Sequence, residues 1–121
     1  MWVEYNLNPL GSDIGDCVIR ALSVVTDSNW DEVYIRLTAL GFKMKDMPSS
    51  NAVWGEYLRR LGFTRHAVEE NYTVQEFCYA HPHGTYVLAT GTHVIAVRDG
   101  DYFDSWNSGL ERPMYLYRKE E

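Results

Sequence analysis

The sequence predicts an α+β fold, with N-terminal helices packed on a C-terminal antiparallel sheet. Three observations predict it. Apolar residues recur at helical spacing behind capping residues as far as about residue 82. Beyond that point the segments are short, β-branched and aromatic, with turn residues between them. Within them, Arg98-Asp99-Gly100-Asp101 puts Asp-Gly at the centre of a two-residue hairpin loop. Helices followed by a meander of strands is the α+β order. The 121 residues suffice for one core and not for two. We therefore read a single domain over 1–121, with a helical part at about 13–82 and an antiparallel sheet at about 84–118.

The first helix has Asp13 or Asp16 as a candidate cap and Val18, Ile19, Ala21, Leu22 and Val25 as its apolar stripe. The second lies in "DSNWDEVYIRLTALGF", with Ser28 and Asp31 as a weak capping box and Gly41 as the expected stop. The third lies in "SSNAVWGEYLRRLGF" and ends at Gly62; its stripe is Val53, Trp54, Tyr57, Leu58 and Leu61. The fourth is short: Thr73 and Glu76 form a capping box, and Pro82 stops it. Four strands follow, in "GTYVLAT", "THVIAVR", "DYFDSW" and "PMYLYRK".

Composition narrows the function classes. The net charge is -6, with no clustered Lys and Arg beyond Arg59-Arg60 and Arg118-Lys119, which argues against nucleic acid as a partner. No apolar run approaches membrane-spanning length, and the N-terminal "MWVEYNLNPLG" lacks the basic and apolar regions of a secretory signal. Two widely separated cysteines make no disulfide framework, so a cytoplasmic chain with free thiols is expected. Cys78, His81 and His83 lack a second close ligand pair, so no metal is expected, and no cofactor either. The turn His81-Pro82-His83 is read as solvated, and Cys78 as core.

The hairpin fixes a register. With Asp99 and Gly100 as loop residues, Arg98 faces Asp101, Val97 faces Tyr102 and Ala96 faces Phe103. Continuing outward, His93 and Asp104 become diagonal neighbours on one face, with Cα atoms roughly 7–8 Å apart. A one-residue slip would separate them. A carboxylate there holds an imidazole in one tautomer and frees its other nitrogen to move a proton. Taken alone, Cys17 reads as a small buried hydrophobe. At a helix N-terminus and beside an imidazolium it reads as an activated nucleophile. Asp16, next to it, is read as the helix cap. Trp30 and Trp54 are read as packing residues.

Cysteine on a helix N-terminus, histidine on a strand and Asp or Asn on the next strand, in that order, resembles the papain-like cysteine proteases, and Asp104-Ser105-Trp106 is similar to that family's Asn-Ser-Trp. The segments "GDCVIRAL", "MPSSNAVWGEYL", "GTYVLATGTHVIAV" and "YFDSWNSG" also resemble small bacteriophage- and prophage-encoded proteins of papain-like fold. The resemblance implies a minimal papain-like fold and a cysteine hydrolase of peptidase or isopeptidase type. Cys17 would be the nucleophile, His93 the base and Asp104 the orienting residue, acting on a peptide or protein substrate in the cytoplasm of a bacterial host. The family's Gln ahead of the Cys has no counterpart here. Asn8 is therefore the first candidate for the second oxyanion donor, and Trp106 a candidate shield of the His–Asp pair. Transglutaminase-like acyl transfer uses the same three residues. A phage-encoded module that inhibits or titrates a host protein is the non-enzymatic alternative.

Overall fold

The computed structural model describes residues 1–12 and 14–119. Its elements run β1 (Trp2–Glu4), α1 (Cys17–Thr26), α2 (Trp30–Met44), α3 (Asn51–Arg60), β2 (Phe63–Ala67), α4 (Val74–Ala80), β3 (Thr85–Ala89), β4 (Val94–Arg98), β5 (Asp101–Asp104) and β6 (Tyr115–Lys119). The six strands form one sheet in the order β1-β5-β4-β3-β6-β2.

The class is α+β, but the expected split into a helical half and a wholly antiparallel half needs correction. The sheet is mixed, because β1 pairs parallel to β5 at one edge. The other edge is β2, which comes from inside the expected helical stretch and pairs antiparallel to β6. Both strands escaped the sequence for physical reasons. β1 is three residues long, and β2 (Phe-Thr-Arg-His-Ala) buries only its first residue, so neither carries a readable alternation.

The helix ends follow local chemistry. Asn29, not Ser28, caps α2, accepting from the Glu32 N–H at 2.8 Å while Glu32 reaches back to the Asn29 N–H. Helix α2 continues through Gly41 to Met44. Gly41 is there for space: a Cβ would lie 2.8 Å from the Asp46 carbonyl oxygen. Ser50 caps α3, and Thr73 with Glu76 forms the box of α4. Asp99 and Gly100 both take positive φ (50° and 82°), as a type I′ loop demands. The register is the one expected, with Arg98, Val97 and Ala96 opposite Asp101, Tyr102 and Phe103.

Apolar residues cover both faces of the sheet. Val87, Ala89, Val94 and Ala96 pack with Leu22, Leu37, Val53 and Trp54 of α1, α2 and α3. Tyr86, Leu88, Ile95 and Val97 pack with Val74, Phe77 and Cys78 of α4. That explains why β3 and β4 read as nearly unbroken apolar runs. Each fully buried Leu or Val removes enough surface from water to contribute about 1.5–3 kcal/mol. The resulting core fixes α1 across β4, β3 and β5, with its N-terminus at the ends of β4 and β5. Among the described residues no helix is long and apolar enough to cross a membrane.

Candidate active site

Cys17 is the first residue of α1 and is partly exposed. The helix starts there and runs along the sheet because Val18, Ala21, Leu22 and Val25 bury on one side. Asp16 occupies the N-cap position but makes no side-chain cap, and its φ of -107° with ψ of 28° departs from the extended backbone that capping uses. Its carboxylate is used otherwise: Oδ1 accepts from Arg20 Nη1 at 2.7 Å, and Oδ2 from the Trp30 indole N–H at 2.9 Å. The other candidate cap, Asp13, lies outside the described residues.

His93 ends the turn between β3 and β4. Thr90 builds that turn, its hydroxyl accepting from the His93 N–H at 3.0 Å and its own N–H donating to the His93 carbonyl at 2.9 Å. Asp104 ends β5, and β1 anchors it. Its carbonyl accepts from the Tyr5 N–H at 2.9 Å and from the Trp2 indole at 3.1 Å. The two side chains meet, His93 Nε2 lying 2.6 Å from Asp104 Oδ2.

The contact lies past the last ladder pair, Ala96 opposite Phe103. Strict alternation would put Asp104 with Tyr102 on the α4 side, yet its carboxylate reaches Arg20 of α1. At strand ends the pleat no longer decides direction, and the hydrogen-bond partners do.

Asp104 is fully buried and four donors converge on it. Oδ1 accepts from Arg20 Nη2 at 3.1 Å and from the Ser105 N–H at 2.8 Å. Oδ2 accepts from His93 and from the Ser108 hydroxyl at 2.6 Å. Burial opposes its charge, but the hydrogen bonds from His93 and Ser108 and the charges of His93 and Arg20 outweigh it and hold the pKa below the usual carboxylate value. A carboxylate only accepts, so Nε2 carries the proton and Nδ1 is left to the thiol.

Burial also disfavours imidazolium, yet the hydrogen bonds to Asp104 and Cys17 raise the His93 pKa to about 9. The Cys17 thiol responds in the complementary sense. Burial raises its pKa, while the hydrogen bond with His93, a Val94 backbone hydrogen bond and the charges of His93 and Arg20 lower it overall. These shifts favour a thiolate–imidazolium pair. The Trp106 ring lies over His93, with centroids 5.1 Å apart, and is itself half exposed.

The sequence thus named Cys17, His93 and Asp104, and the fold brings the three together. It also placed Trp106 over the histidine. Asn8 lies in the loop before α1, its Oδ1 accepting from the Leu10 and Ser12 N–H groups at 2.9 and 3.4 Å. Sequence reasoning missed Arg20 and Ser108, both buried, and the role of Trp30. The spacing Asp16, Cys17, Arg20 was the one available signal, since it places all three within a single turn. Cys78 is buried as expected, and burial pushes its thiol up to about 11. His81 is not simply solvated: it is partly buried and stacks on Phe77 at 4.1 Å between centroids.

No protein-family model, curated protein or solved structure matches this chain.

Proposed function

We propose that the protein is a cysteine hydrolase of peptidase or isopeptidase type with a minimal papain-like arrangement. One observation carries the reading: His93 is hydrogen-bonded to the buried Asp104 and acts on Cys17, a partly exposed cysteine at a helix N-terminus, closely enough to lower its pKa. The second resemblance of the sequence, to small bacteriophage- and prophage-encoded proteins, adds phage or prophage origin and a host-cell cytoplasm to the proposal.

The thiolate of Cys17 attacks the substrate carbonyl carbon, and the carbonyl π electrons move to oxygen. As the tetrahedral intermediate collapses, Nδ1 of His93 gives its proton to the leaving amine or alcohol and a thioester remains on Cys17. His93, now neutral, takes a proton from water, whose hydroxide attacks the thioester. The second collapse releases the acid and restores the thiolate and imidazolium. Asp104 keeps Nε2 protonated throughout. The Cys17 backbone N–H, at the start of α1, supplies one oxyanion donor. The NH2 of Asn8, whose Oδ1 accepts from the loop amides, is the candidate for the second.

The two thiols provide an internal control. At neutral pH, iodoacetamide is expected to modify Cys17 quickly and to leave the buried, high-pKa Cys78 nearly untouched, as read by peptide mass spectrometry. A peptidyl vinyl sulfone should label the same residue. Equal slow modification of both thiols would remove the basis for a hydrolase.

A further inference from the structure

Among the described residues, Arg20 is the one buried cation, and the reaction steps leave it without a role. It sits three residues after Cys17, so its side chain and the nucleophile share a helix face. Its guanidinium spans two carboxylates, Nη1 to Asp16 Oδ1 at 2.7 Å and Nη2 to Asp104 Oδ1 at 3.1 Å. The three side chains expose 6%, 3% and 1% of their surfaces, so water screens these contacts little. Every carboxylate oxygen in the cluster is satisfied. Asp16 Oδ2 holds the Trp30 indole, and Asp104 Oδ2 holds His93 and Ser108. The guanidinium therefore claims one oxygen of Asp104 and leaves the other for the imidazole.

We propose that Arg20 is a positioning residue of the Cys17–His93–Asp104 site, clamping Asp104 Oδ1 so that Oδ2 faces His93, and placing a fixed positive charge behind the nucleophile. The proposal rests on the hydrolase reading of those three residues. The fork geometry matters, because a planar guanidinium aims two separate N–H groups in fixed directions at the two carboxylates, whereas an ammonium is a single point with rotating donors. The charge matters as well. The charged groups that act on Cys17 are His93, from the turn before β4, and Arg20, from its own helix, while Asp16 and Asp104 hold that guanidinium. Glu4 of β1, opposite Asp104 in the ladder, and Asp31 and Glu32 of α2 are exposed to water. Without Arg20 the buried cluster keeps both carboxylates, and its potential at the sulfur turns more negative. The thiolate then forms at higher pH.

The test is the pH profile of Cys17 alkylation by iodoacetamide in the wild type, Arg20→Lys and Arg20→Gln, with folding followed by circular dichroism. Arg20→Gln should move the acid limb up by about one pH unit, a roughly tenfold loss of rate on the limb. Arg20→Lys keeps the charge without the fork and should lose about threefold. A purely structural arginine would change the folded fraction and leave the limb where it is. An Arg20→Gln limb coincident with wild type overturns the proposal. Should Arg20→Gln fail to fold, an unmoved Arg20→Lys limb overturns it instead. A wild-type Cys17 that does not alkylate at neutral pH sinks the hydrolase reading itself, and this inference with it.

Discussion

Exchanging His93 for Ala is expected to lower turnover of an activated ester, such as a nitrophenyl ester of an acylated amino acid, by about 10⁴–10⁶-fold. Two losses combine. The imidazolium that stabilises the Cys17 thiolate disappears, so the remaining influences on the thiol are burial, which raises its pKa, and the weaker help of the Val94 backbone and Arg20. The base that takes a proton from water for hydrolysis of the thioester disappears too. Some stability should be lost, because the buried Asp104 keeps only three of its four donors, but the turn's backbone bonds come from Thr90 and the chain should still fold. Loss of turnover in a protein that is still folded is the result to check, by ester hydrolysis and circular dichroism. A variant that keeps even a tenth of wild-type turnover would show that the imidazole is a bystander.

The second large effect is expected from Asp104→Asn, at about 10⁴-fold on the same ester. The reason is orientation. An amide side chain offers one accepting oxygen and one donating NH2. Arg20 Nη2 and the Ser105 N–H can only donate, and both point at the Oδ1 position. The Ser108 hydroxyl can rotate to accept, and the imidazole can change tautomer. An Asn at 104 therefore turns its oxygen to Arg20 and its NH2 to His93. Nε2 is then forced to accept, the ring proton moves to Nδ1, and that nitrogen can no longer take a proton from Cys17. This variant therefore reads what Arg20 imposes on the partner of His93. The His93 pKa should fall from about 9 as its carboxylate partner is lost, which proton NMR of the ring reads directly.

Much of this was legible in the sequence because local chemistry determined it. The Asp99-Gly100 loop determined the register of β4 against β5, which brings His93 and Asp104 to the same end of the hairpin, while the side on which their side chains meet is decided by Arg20 and Ser108. Thr73 with Glu76 marked a helix start in the same way. What stayed hidden depended on distant partners. β1 is a strand only because β5 offers it an edge, and β2 only because β6 does. Its consequence for the site is direct, since Tyr5 and Trp2 at the N-terminus hold the Asp104 carbonyl. Arg20 sits in the middle of an apolar stripe, where a pattern reader takes it for a solvated residue. Only the fold shows that a second carboxylate, 84 positions away, meets it there. Asp16 illustrates the converse error: its position says cap, while the guanidinium and the indole take both its oxygens.

Ultraviolet titration of the thiolate near 240 nm, in the wild type and in Cys17→Ser, tests the charge-coupled cluster most directly. The Cys17 pKa is lowered against burial, chiefly through its hydrogen bond with His93, and the raised His93 pKa keeps the imidazolium partner until about pH 9, so the ion pair is expected to show as thiolate absorbance at pH 7. The expected difference between the two proteins is therefore one thiolate at neutral pH, lost on acidification. A difference that develops only as the pH climbs through about 8.5, the range of an unassisted thiol, would contradict the account.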